Sequence, residues 1–238
     1  MNRLCFFIVG HGRLECYSKQ AIFFNKFNRI KNYDIIIYDN SGVSGEIIKS
    51  YAKDFQANVR IVCRDHNPGY HLGQLTALND CYELLKDYDY VVHHTWDSFV
   101  VNDNYLNDWL INFKVQRGCG LLTSQFLFDP ANNQYVSELT MCLSTDVFAF
   151  DPKILNKTFW ETCLSYGNIP PELIIYKATK QLNIVVSIWS RVWVTTSGQQ
   201  LCAPTPEQLG GAHFRSPPNA DTMNIMHTHT LSTLDKYI

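Results

Sequence analysis

The chain lacks the long apolar segments that mark membrane proteins. None of its 238 residues belongs to an apolar run approaching 18 residues, so no membrane-spanning helix is predicted. The apolar run near the amino terminus, Leu4–Val9, is too short for the core of a signal peptide and fits a central β-strand. We therefore expect a cytoplasmic protein, with peripheral attachment to a membrane as the alternative.

Strong charge and metal-binding cysteine spacing are also missing. The formal net charge is -2 at pH 7, which gives no basic surface field and argues against nucleic acid as a partner. The eight cysteines are scattered without a C-x-x-C pair, so neither a zinc site nor a disulfide framework is predicted. No G-x-S-x-G sequence occurs, and a serine nucleophile on a strand-to-helix turn is therefore not indicated.

Short apolar runs alternate with helical patterns through the first half of the chain. This alternation predicts a parallel sheet covered by helices on both faces. The predicted strands are Leu4–Val9, Asp34–Tyr38, Asn58–Arg64 and Tyr88–His93, and the predicted helices are Cys16–Lys31, Gly45–Phe55 and Leu72–Leu85.

The second half has a mixed pattern without repeats or a linker. We expect one domain over residues 1–238. The predictions are helices at Asn104–Lys114, from Asp151-Pro152 onward and at Pro171–Gln181, strands at Gly120–Phe126 and Ile184–Thr195, mixed alternation over Thr140–Phe150, and mostly loop over Ser197–Asp221.

The end of the fourth strand carries the strongest functional signal. Residues 93–98 place two histidines, a tryptophan and Asp97 directly after an apolar run. In open α/β sheets, ligands bind at the carboxyl ends of the strands. Asp97 with an imidazole suits Mn²⁺ or Mg²⁺ held between the protein and a diphosphate. The alternative is that Asp97 caps a helix near Asn102–Asn104, with His93 and His94 in the core.

Other candidate ligand-binding residues follow the second and third strands. Asp39 suits a hydrogen bond from a ribose or base, or an Asx-turn that closes its own loop. Four further candidates are Asn67, Gly69, Gln74 and Asn79. The glycine allows the backbone to approach a ligand closely, and the side-chain amides can hydrogen-bond to it. The alternative is that the first residues only form a turn and that Asn79 faces solvent.

Two further candidates lie in the second half. Glu172 follows two prolines at a predicted helix start, where it suits either the helix dipole or the role of a general base. His213, His227 and His229 suit a metal or phosphate, or are exposed residues of the tail.

The order of these features resembles that of GT-A fold glycosyltransferases of the family-2-like group. The resemblance covers roughly residues 4 to 195. It rests on the strand ending at Asp39-Asn40-Ser41, the Asn67-x-Gly69 turn, the helix with Ala77 and Asn79, and a strand ending where those enzymes carry D-x-D. It implies a mixed α/β sheet flanked by helices, with residues 1–101 binding a nucleotide sugar and residues 102–238 facing the acceptor.

The resemblance also implies roles for residues on the donor side. Asp39 would contact the base or ribose, and Asn79 would lie near the diphosphate-sugar. Asp97 would match the last acid of D-x-D and bind Mn²⁺ or Mg²⁺. Thr95 stands where the first acid is expected, so His94, His227 or His229 would complete the metal shell.

The implied reaction transfers a sugar to a hydroxyl of a glycan, lipid or protein acceptor. Glu172 would take the hydroxyl proton, and Trp96 would offer a face for stacking against a sugar. One alternative is a nucleotidyltransferase, although the first loop, residues 10–13, is short and contains no lysine. The other alternative is a non-catalytic module that binds nucleotide or sugar.

Overall fold

The computed structural model describes residues 3–28, 30–69, 72–100, 120–124, 128–129, 134–135, 145, 147–189, 192–196 and 209–214. The helices in these residues are α1 (Leu14–Phe27), α2 (Gly45–Ala52), α3 (Gly73–Asp80), α4 (Tyr82–Leu85), α5 (Lys157–Ser165) and α6 (Pro171–Gln181). The strands are β1 (Leu4–Gly10), β2 (Tyr33–Asp39), β3 (Asn58–Cys63), β4 (Tyr90–Thr95), β5 (Ser98–Val100), β6 (Leu121–Ser124), β7 (Phe128–Asp129), β8 (Gln134–Tyr135), β9 (Val147–Phe150), β10 (Val186–Trp189), β11 (Val192–Thr196) and β12 (Leu209–Phe214).

A seven-stranded sheet runs in the order β10-β6-β9-β4-β1-β2-β3. The four amino-terminal strands are parallel, as predicted. Strand β9 is antiparallel to both β4 and β6, while β10 is parallel to β6. Smaller sheets form from β11, β12 and β5 and from β7 and β8. The predicted mixed α/β sheet flanked by helices is confirmed.

Side chains alternate along the strands to fill two apolar layers. Phe6 and Ile8 of β1 belong to the layer that also contains residues of α1 and α2. Cys5 and Phe7 belong to the opposite layer, with residues of α3, α5 and α6. Every residue of β1 is buried, which explains why this strand reads as a continuous apolar run. Within the described ranges, no helix is long and apolar enough to cross a bilayer.

The strand order reverses beside β1. The chain passes from β1 to β2 and β3 on one side and then returns to β1 on the other side as β4. Such a switch point leaves a crevice outside the carboxyl ends of the strands. The register aligns Gly10 with Asp39 and Asp39 with Cys63, and it places Val9 beside Thr95. This edge, called the carboxyl edge below, carries the strand ends that lead into the loops with Asp39, Asn67 and Asp97.

Several predicted boundaries in the first half shift. The helix predicted over residues 72–85 is two helices, because the chain breaks at Cys81, where φ is -89° and ψ is 2°. The first helix begins at Leu14 and ends at Phe27, earlier than predicted. Strand β4 runs on to Thr95, and β5 follows after two turn residues. The predicted helix over residues 104–114 and the start near residues 102–104 lie outside the described residues.

The helix predicted from Asp151-Pro152 is wrong. The Asp151 carboxylate accepts a hydrogen bond from the Lys153 backbone at 2.8 Å, which holds a turn instead. Helix α5 begins at Lys157, where the side chain of Asn156 caps it by accepting from the Phe159 backbone. The sequence prediction placed the helix start at Pro152, whereas in the structure the Asn156 cap sets the start of α5.

Long-range pairing accounts for the remaining differences. The strand predicted over residues 184–195 divides into β10 and β11, which belong to different sheets. The segment predicted as loop over residues 197–221 contains β12, which pairs with β11 and β5. Of the mixed segment over residues 140–150, residues 147–150 form β9.

Candidate functional site

The loops after β1, β2 and β4 are tied together at the carboxyl edge. The Asn40 backbone donates to the Gly10 carbonyl at 3.1 Å, and the Trp96 backbone donates to the Val9 carbonyl at 2.9 Å. These bonds continue the strand pairing beyond the last residues of β2 and β4. Polar side chains from three loops are therefore gathered over one short stretch of the sheet.

Asp39 joins two of these loops to helix α1. Its carboxylate is fully buried, and Oδ2 accepts a hydrogen bond from the Tyr17 hydroxyl at 2.6 Å. Oδ1 accepts from the Ser41 backbone at 2.9 Å, which is the Asx-turn, and from the Ser41 hydroxyl. Burial, followed by the negative charge of Asp39, raises the pKa of Tyr17, so its hydroxyl stays a donor. A ribose contact by Asp39 would require one of these partners to be exchanged.

Gly10 makes the Tyr17–Asp39 contact possible. A Cβ placed at Gly10 would lie 1.8 Å from the Tyr17 hydroxyl oxygen and 3.2 Å from the Trp96 Cβ. The first distance is far inside van der Waals contact, so the tyrosine could not keep its place, and the second is a tight contact. Only a glycine at the end of β1 allows α1 and the β4 turn to approach the sheet this closely.

A second polar chain connects the loops after β1, β2 and β3. His11 Nδ1 lies 3.0 Å from Asn40 Oδ1, and Asn40 Nδ2 donates to Asn67 Oδ1 at 3.3 Å. Asn67 Oδ1 also accepts from the Gly69 backbone at 3.0 Å. Gly69 has a φ of +114°, a conformation that favours glycine. The predicted Asn67 and Gly69 thus meet at this edge, through an Asn40 link that sequence reasoning did not assign.

Gln74 and Asn79 both lie on α3 but have different surroundings. In the part of the chain that the structure describes, Gln74 Oε1 and Asn79 Oδ1 are buried without a hydrogen-bond partner. Gln74 is in the first turn of α3, directly after the Asn67–Gly69 loop. The Asn79 carbonyl accepts from Lys157 Nζ at 3.2 Å, which places this residue beside α5. The structure therefore brings Gln74, more than Asn79, toward the polar chain.

The turn between β4 and β5 presents Asp97 and Trp96. Asp97 is only 5% exposed, and Trp96 is partly buried against the layer that contains α1. The hydroxyls of Thr95 and Ser98, on either side of the turn, are 2.5 Å apart and hydrogen-bonded. The residue predicted as the metal ligand therefore lies beside the switch point, in a short turn that is closed at both ends.

The two histidines of β4 lie on opposite faces of the sheet. The His93 ring is 4.6 Å from the Phe148 ring, and the His94 ring is 5.6 Å from Phe24 and 6.1 Å from Phe6. Burial lowers the pKa of each to about 3, so both are neutral near pH 7. This packing matches the alternative in which they are core residues.

The metal prediction has limited support from preformed geometry. Among the described residues, no group of three or more His, Cys, Asp or Glu side chains could hold a metal ion. The predicted ligands His227 and His229 lie outside the described residues. The backbone of His213, however, is paired with Ser98 where β12 runs antiparallel to β5. One carboxyl-terminal histidine is thus next to the residue that follows Asp97.

Glu172 lies at the same edge of the sheet. Its Oε1 accepts a hydrogen bond from the Thr145 hydroxyl at 3.3 Å. Thr145 precedes β9, whose first residue, Val147, pairs with His94 near the carboxyl end of β4. Because β9 is antiparallel to β4, it starts at the carboxyl edge. The predicted base and the predicted metal ligand therefore share one edge, although they are 75 positions apart in the sequence.

Comparison with known proteins gives structural matches only. No protein-family profile and no curated protein sequence matches the chain. The galactosyltransferase LgtC, in complex with donor and acceptor sugar analogs, superposes with a TM-score of 0.60 at 12% identity, over 99% of this chain and 100% of that one. The chain has the GT-A fold.

Two more solved structures share this GT-A fold. The mannosyltransferase PcManGT from Pyrobaculum calidifontis, in complex with GDP-Man and Mn²⁺, matches with a TM-score of 0.55 at 10% identity. That match covers 98% of this chain but 64% of the mannosyltransferase. A putative glucose-1-phosphate thymidylyltransferase from Bacillus anthracis matches with a TM-score of 0.52 at 13% identity, over 79% of this chain and 87% of that one. At such identities, the likeness establishes the fold.

Proposed function

We propose that this chain is a glycosyltransferase that moves a hexose from a nucleotide-diphosphate sugar to an acceptor hydroxyl. The observation that carries the proposal is the position of Asp97 within the GT-A fold. Its buried carboxylate follows β4 directly, beside the switch point, where open α/β sheets bind their ligands. The matched sugar transferases make nucleotide sugars the natural donors to test.

A divalent cation fits the donor atoms at this edge. Mg²⁺ and similar hard cations are commonly held by one or two carboxylates, with substrate phosphates and waters as the other ligands. Asp97 would supply the carboxylate, and His213, His227 and His229 are the imidazoles proposed around it, whereas His94 packs in the core against Phe6 and Phe24. When bound, Mn²⁺ or Mg²⁺ would offset the negative charge on the departing diphosphate.

The donor would lie along the two polar chains of the carboxyl edge. In this proposal Asp39 holds the loops that receive the nucleoside. Either Asp39 or its hydrogen-bond partner Ser41 contacts the nucleoside. Asn67 and Gly69 shape the loop on the other side. The buried Oε1 of Gln74 would accept a hydrogen bond from a hydroxyl of the nucleotide sugar. A buried acceptor without a hydrogen bond costs about 1–3 kcal/mol of free energy, so this bond would be favourable. Asn79 would act from the far end of α3.

Glu172 is the proposed base, and Trp96 the proposed stacking surface for a sugar. The acceptor oxygen forms a bond to the anomeric carbon while the bond from that carbon to the diphosphate oxygen breaks. The hydroxyl proton passes to the Glu172 carboxylate, which the Thr145 hydroxyl holds in place. The acceptor hydroxyl would belong to a glycan, a lipid or a protein.

Two other functions make different predictions. A nucleotidyltransferase of related fold would use a glycine-rich loop with Arg or Lys after its first strand. Here that loop has three residues, His11-Gly12-Arg13, between β1 and α1. A non-catalytic module would bind nucleotide without turnover.

The test is turnover of UDP- and GDP-sugars by the full chain, with and without Mn²⁺. We expect release of a nucleoside diphosphate from at least one donor, stimulated by the metal. Pyrophosphate release from a nucleoside triphosphate and a sugar 1-phosphate would instead indicate a nucleotidyltransferase. Tight nucleotide binding without any turnover would indicate the binding module.

Asp97→Asn separates the metal role from general folding. We expect this variant to lose at least about 100-fold in metal-stimulated turnover, since removal of groups around a metal commonly costs 10–100-fold even outside the ligand set. Asp87→Asn is the matched control, because Asp87 is exposed and precedes β4. Equal turnover by Asp97→Asn and the wild-type chain would overturn the metal assignment.

A further inference from the structure

A buried glutamine of α1 holds both ends of the Asp97 turn. The side chain of Gln20 is fully buried, and its Nε2 donates to the carbonyl oxygens of Thr95 and Ser98, each at 2.9 Å. These two carbonyls flank the Trp96-Asp97 dipeptide. The side-chain amide of Gln20 therefore donates both of its N–H groups to one turn. The two acceptor residues are 75 and 78 positions away in the sequence.

The surroundings of Gln20 make this clamp rigid. Gln20 lies one helical turn after Cys16 and one turn before Phe24, and all three side chains are buried. Burial of the Gln20 amide costs free energy, which the two Nε2 hydrogen bonds offset, while Oε1 is buried without a hydrogen-bond partner among the described residues. The apolar layer thus fixes the glutamine, and the glutamine fixes the turn.

The clamp also limits where the Asp97 carboxylate can lie. The turn has only two residues between β4 and β5. Its side chains close it a second time through the Thr95 and Ser98 hydroxyls. The Trp96 backbone is bound to the Val9 carbonyl of β1. Two hydrogen bonds from Gln20 and one to Val9 join the turn to α1 and β1, so it has little freedom to move relative to the switch point.

We propose that Gln20 is a positioning residue for the Asp97 site, which aims the carboxylate at the donor diphosphate and its cation. Gln20 contacts neither substrate nor metal and acts only through the backbone of residues 95–98. This inference rests on the proposed function. Gln20 lies on α1, outside every loop of the carboxyl edge. The amino-terminal half of α1 therefore has a functional role as well as a packing role.

The test compares Gln20→Met with Asn25→Leu. Methionine keeps the shape of glutamine but cannot donate to the two carbonyls. Asn25 is the matched control, because its amide also joins α1 to a loop, by donating to the Asp54 carbonyl and accepting from the Gln56 backbone. That loop is remote from Asp97. Gln20→Asn keeps the amide on a shorter stem, so we expect it to fall between Gln20→Met and the wild-type chain.

Three measurements on the full chain decide the outcome. Amide hydrogen exchange at residues 96–98 reports on the clamp, Mn²⁺ titration in the presence of nucleoside diphosphate reports on the site, and turnover gives kcat and KM. For Gln20→Met we expect faster exchange at these amides, Mn²⁺ affinity about 10-fold weaker, and a fall in kcat larger than any change in donor KM. Asn25→Leu should change none of these.

The outcomes separate this inference from the function on which it rests. If the wild-type chain binds Mn²⁺ and turns over a donor while Gln20→Met does both equally well, the positioning role is wrong and the proposed function stands. Faster exchange with unchanged affinity and turnover would make the clamp purely structural and would also overturn the inference. If Gln20→Met does not fold, Gln20→Asn takes its place in each comparison. A wild-type chain that binds neither Mn²⁺ nor nucleotide would refute both proposals.

Discussion

Two tyrosine–aspartate hydrogen bonds lie at opposite ends of the same parallel strands. At the carboxyl edge the Tyr17 hydroxyl donates to Asp39 at 2.6 Å, and at the amino edge the Tyr88 hydroxyl donates to Asp34 at 2.7 Å. The bonds are nearly identical in length, but their surroundings differ. Asp39 is fully buried, whereas the Asp34 side chain is 31% exposed and lies 4.0 Å from the guanidinium of Arg3.

The difference shows how the carboxylate at each edge of the sheet is stabilised. At the amino edge, water and Arg3 solvate the carboxylate, so no single partner is essential. At the carboxyl edge the protein itself must supply every donor, because the carboxylate has been removed from water. Burying a charge costs stability unless protein groups donate hydrogen bonds to it, and Asp39 accepts such bonds from Tyr17 and Ser41.

The largest expected effect is on chemistry at the carboxyl edge. Replacing the proposed base, Glu172→Gln, should lower kcat by about 10²–10⁴-fold, the usual contribution of a positioned base, with little change in donor binding. Glu161→Gln is the control, because Glu161 is exposed on α5. Steady-state kinetics with the best donor measure both. Unchanged rates for Glu172→Gln would mean that Glu172 is not the base and that it only stabilises the start of α6 through the helix dipole.

The second prediction tests the comparison of the two pairs directly. Tyr17→Phe should lower the free energy of unfolding by about 1.5–3 kcal/mol, because a buried carboxylate loses a donor. Tyr88→Phe should cost less, since water can reach Asp34. Urea denaturation of both variants measures the difference. Equal losses would mean that burial does not distinguish the two edges.

The third prediction concerns acid stability. The folded-state pKa values of His93 and His94 are lowered to about 3, so below about pH 6.5 the unfolded chain takes up protons that the folded chain does not. Stability should therefore fall as the pH drops from about 6.5 toward 3, with a slope of up to about 1.4 kcal/mol per pH unit for each histidine.

A pair of leucine substitutions tests this slope. His93→Leu and His94→Leu should each reduce the slope by the contribution of one histidine. Urea denaturation at several pH values measures the slope. The same His94→Leu protein, titrated with Mn²⁺, also decides whether His94 is a metal ligand. A wild-type slope in His94→Leu would contradict the account of this histidine as a neutral core group.

The sequence determined the parallel core of this protein and the position of its candidate site. Continuous apolar runs such as Leu4–Val9 predict strands that are buried on both faces, and the helical periods between them predict the crossovers. A polar segment after such a run, as at Asp39 and Asp97, indicates a strand end where a ligand can bind. These signals are local, and each can be read within about ten residues.

Only the tertiary structure decided which distant residues contact the loops of the candidate site. Gln20, Tyr17 and Asn40 contact loops that are distant in the sequence, and Thr145 reaches Glu172 because β9 runs antiparallel to β4. The same holds for β12, whose residues read as loop until they pair with β5. Strand pairing and side-chain clamps join positions far apart in the sequence, so no local pattern records them. A glutamine in the buried stripe of α1 was the one local sign, because such a polar group needs a partner.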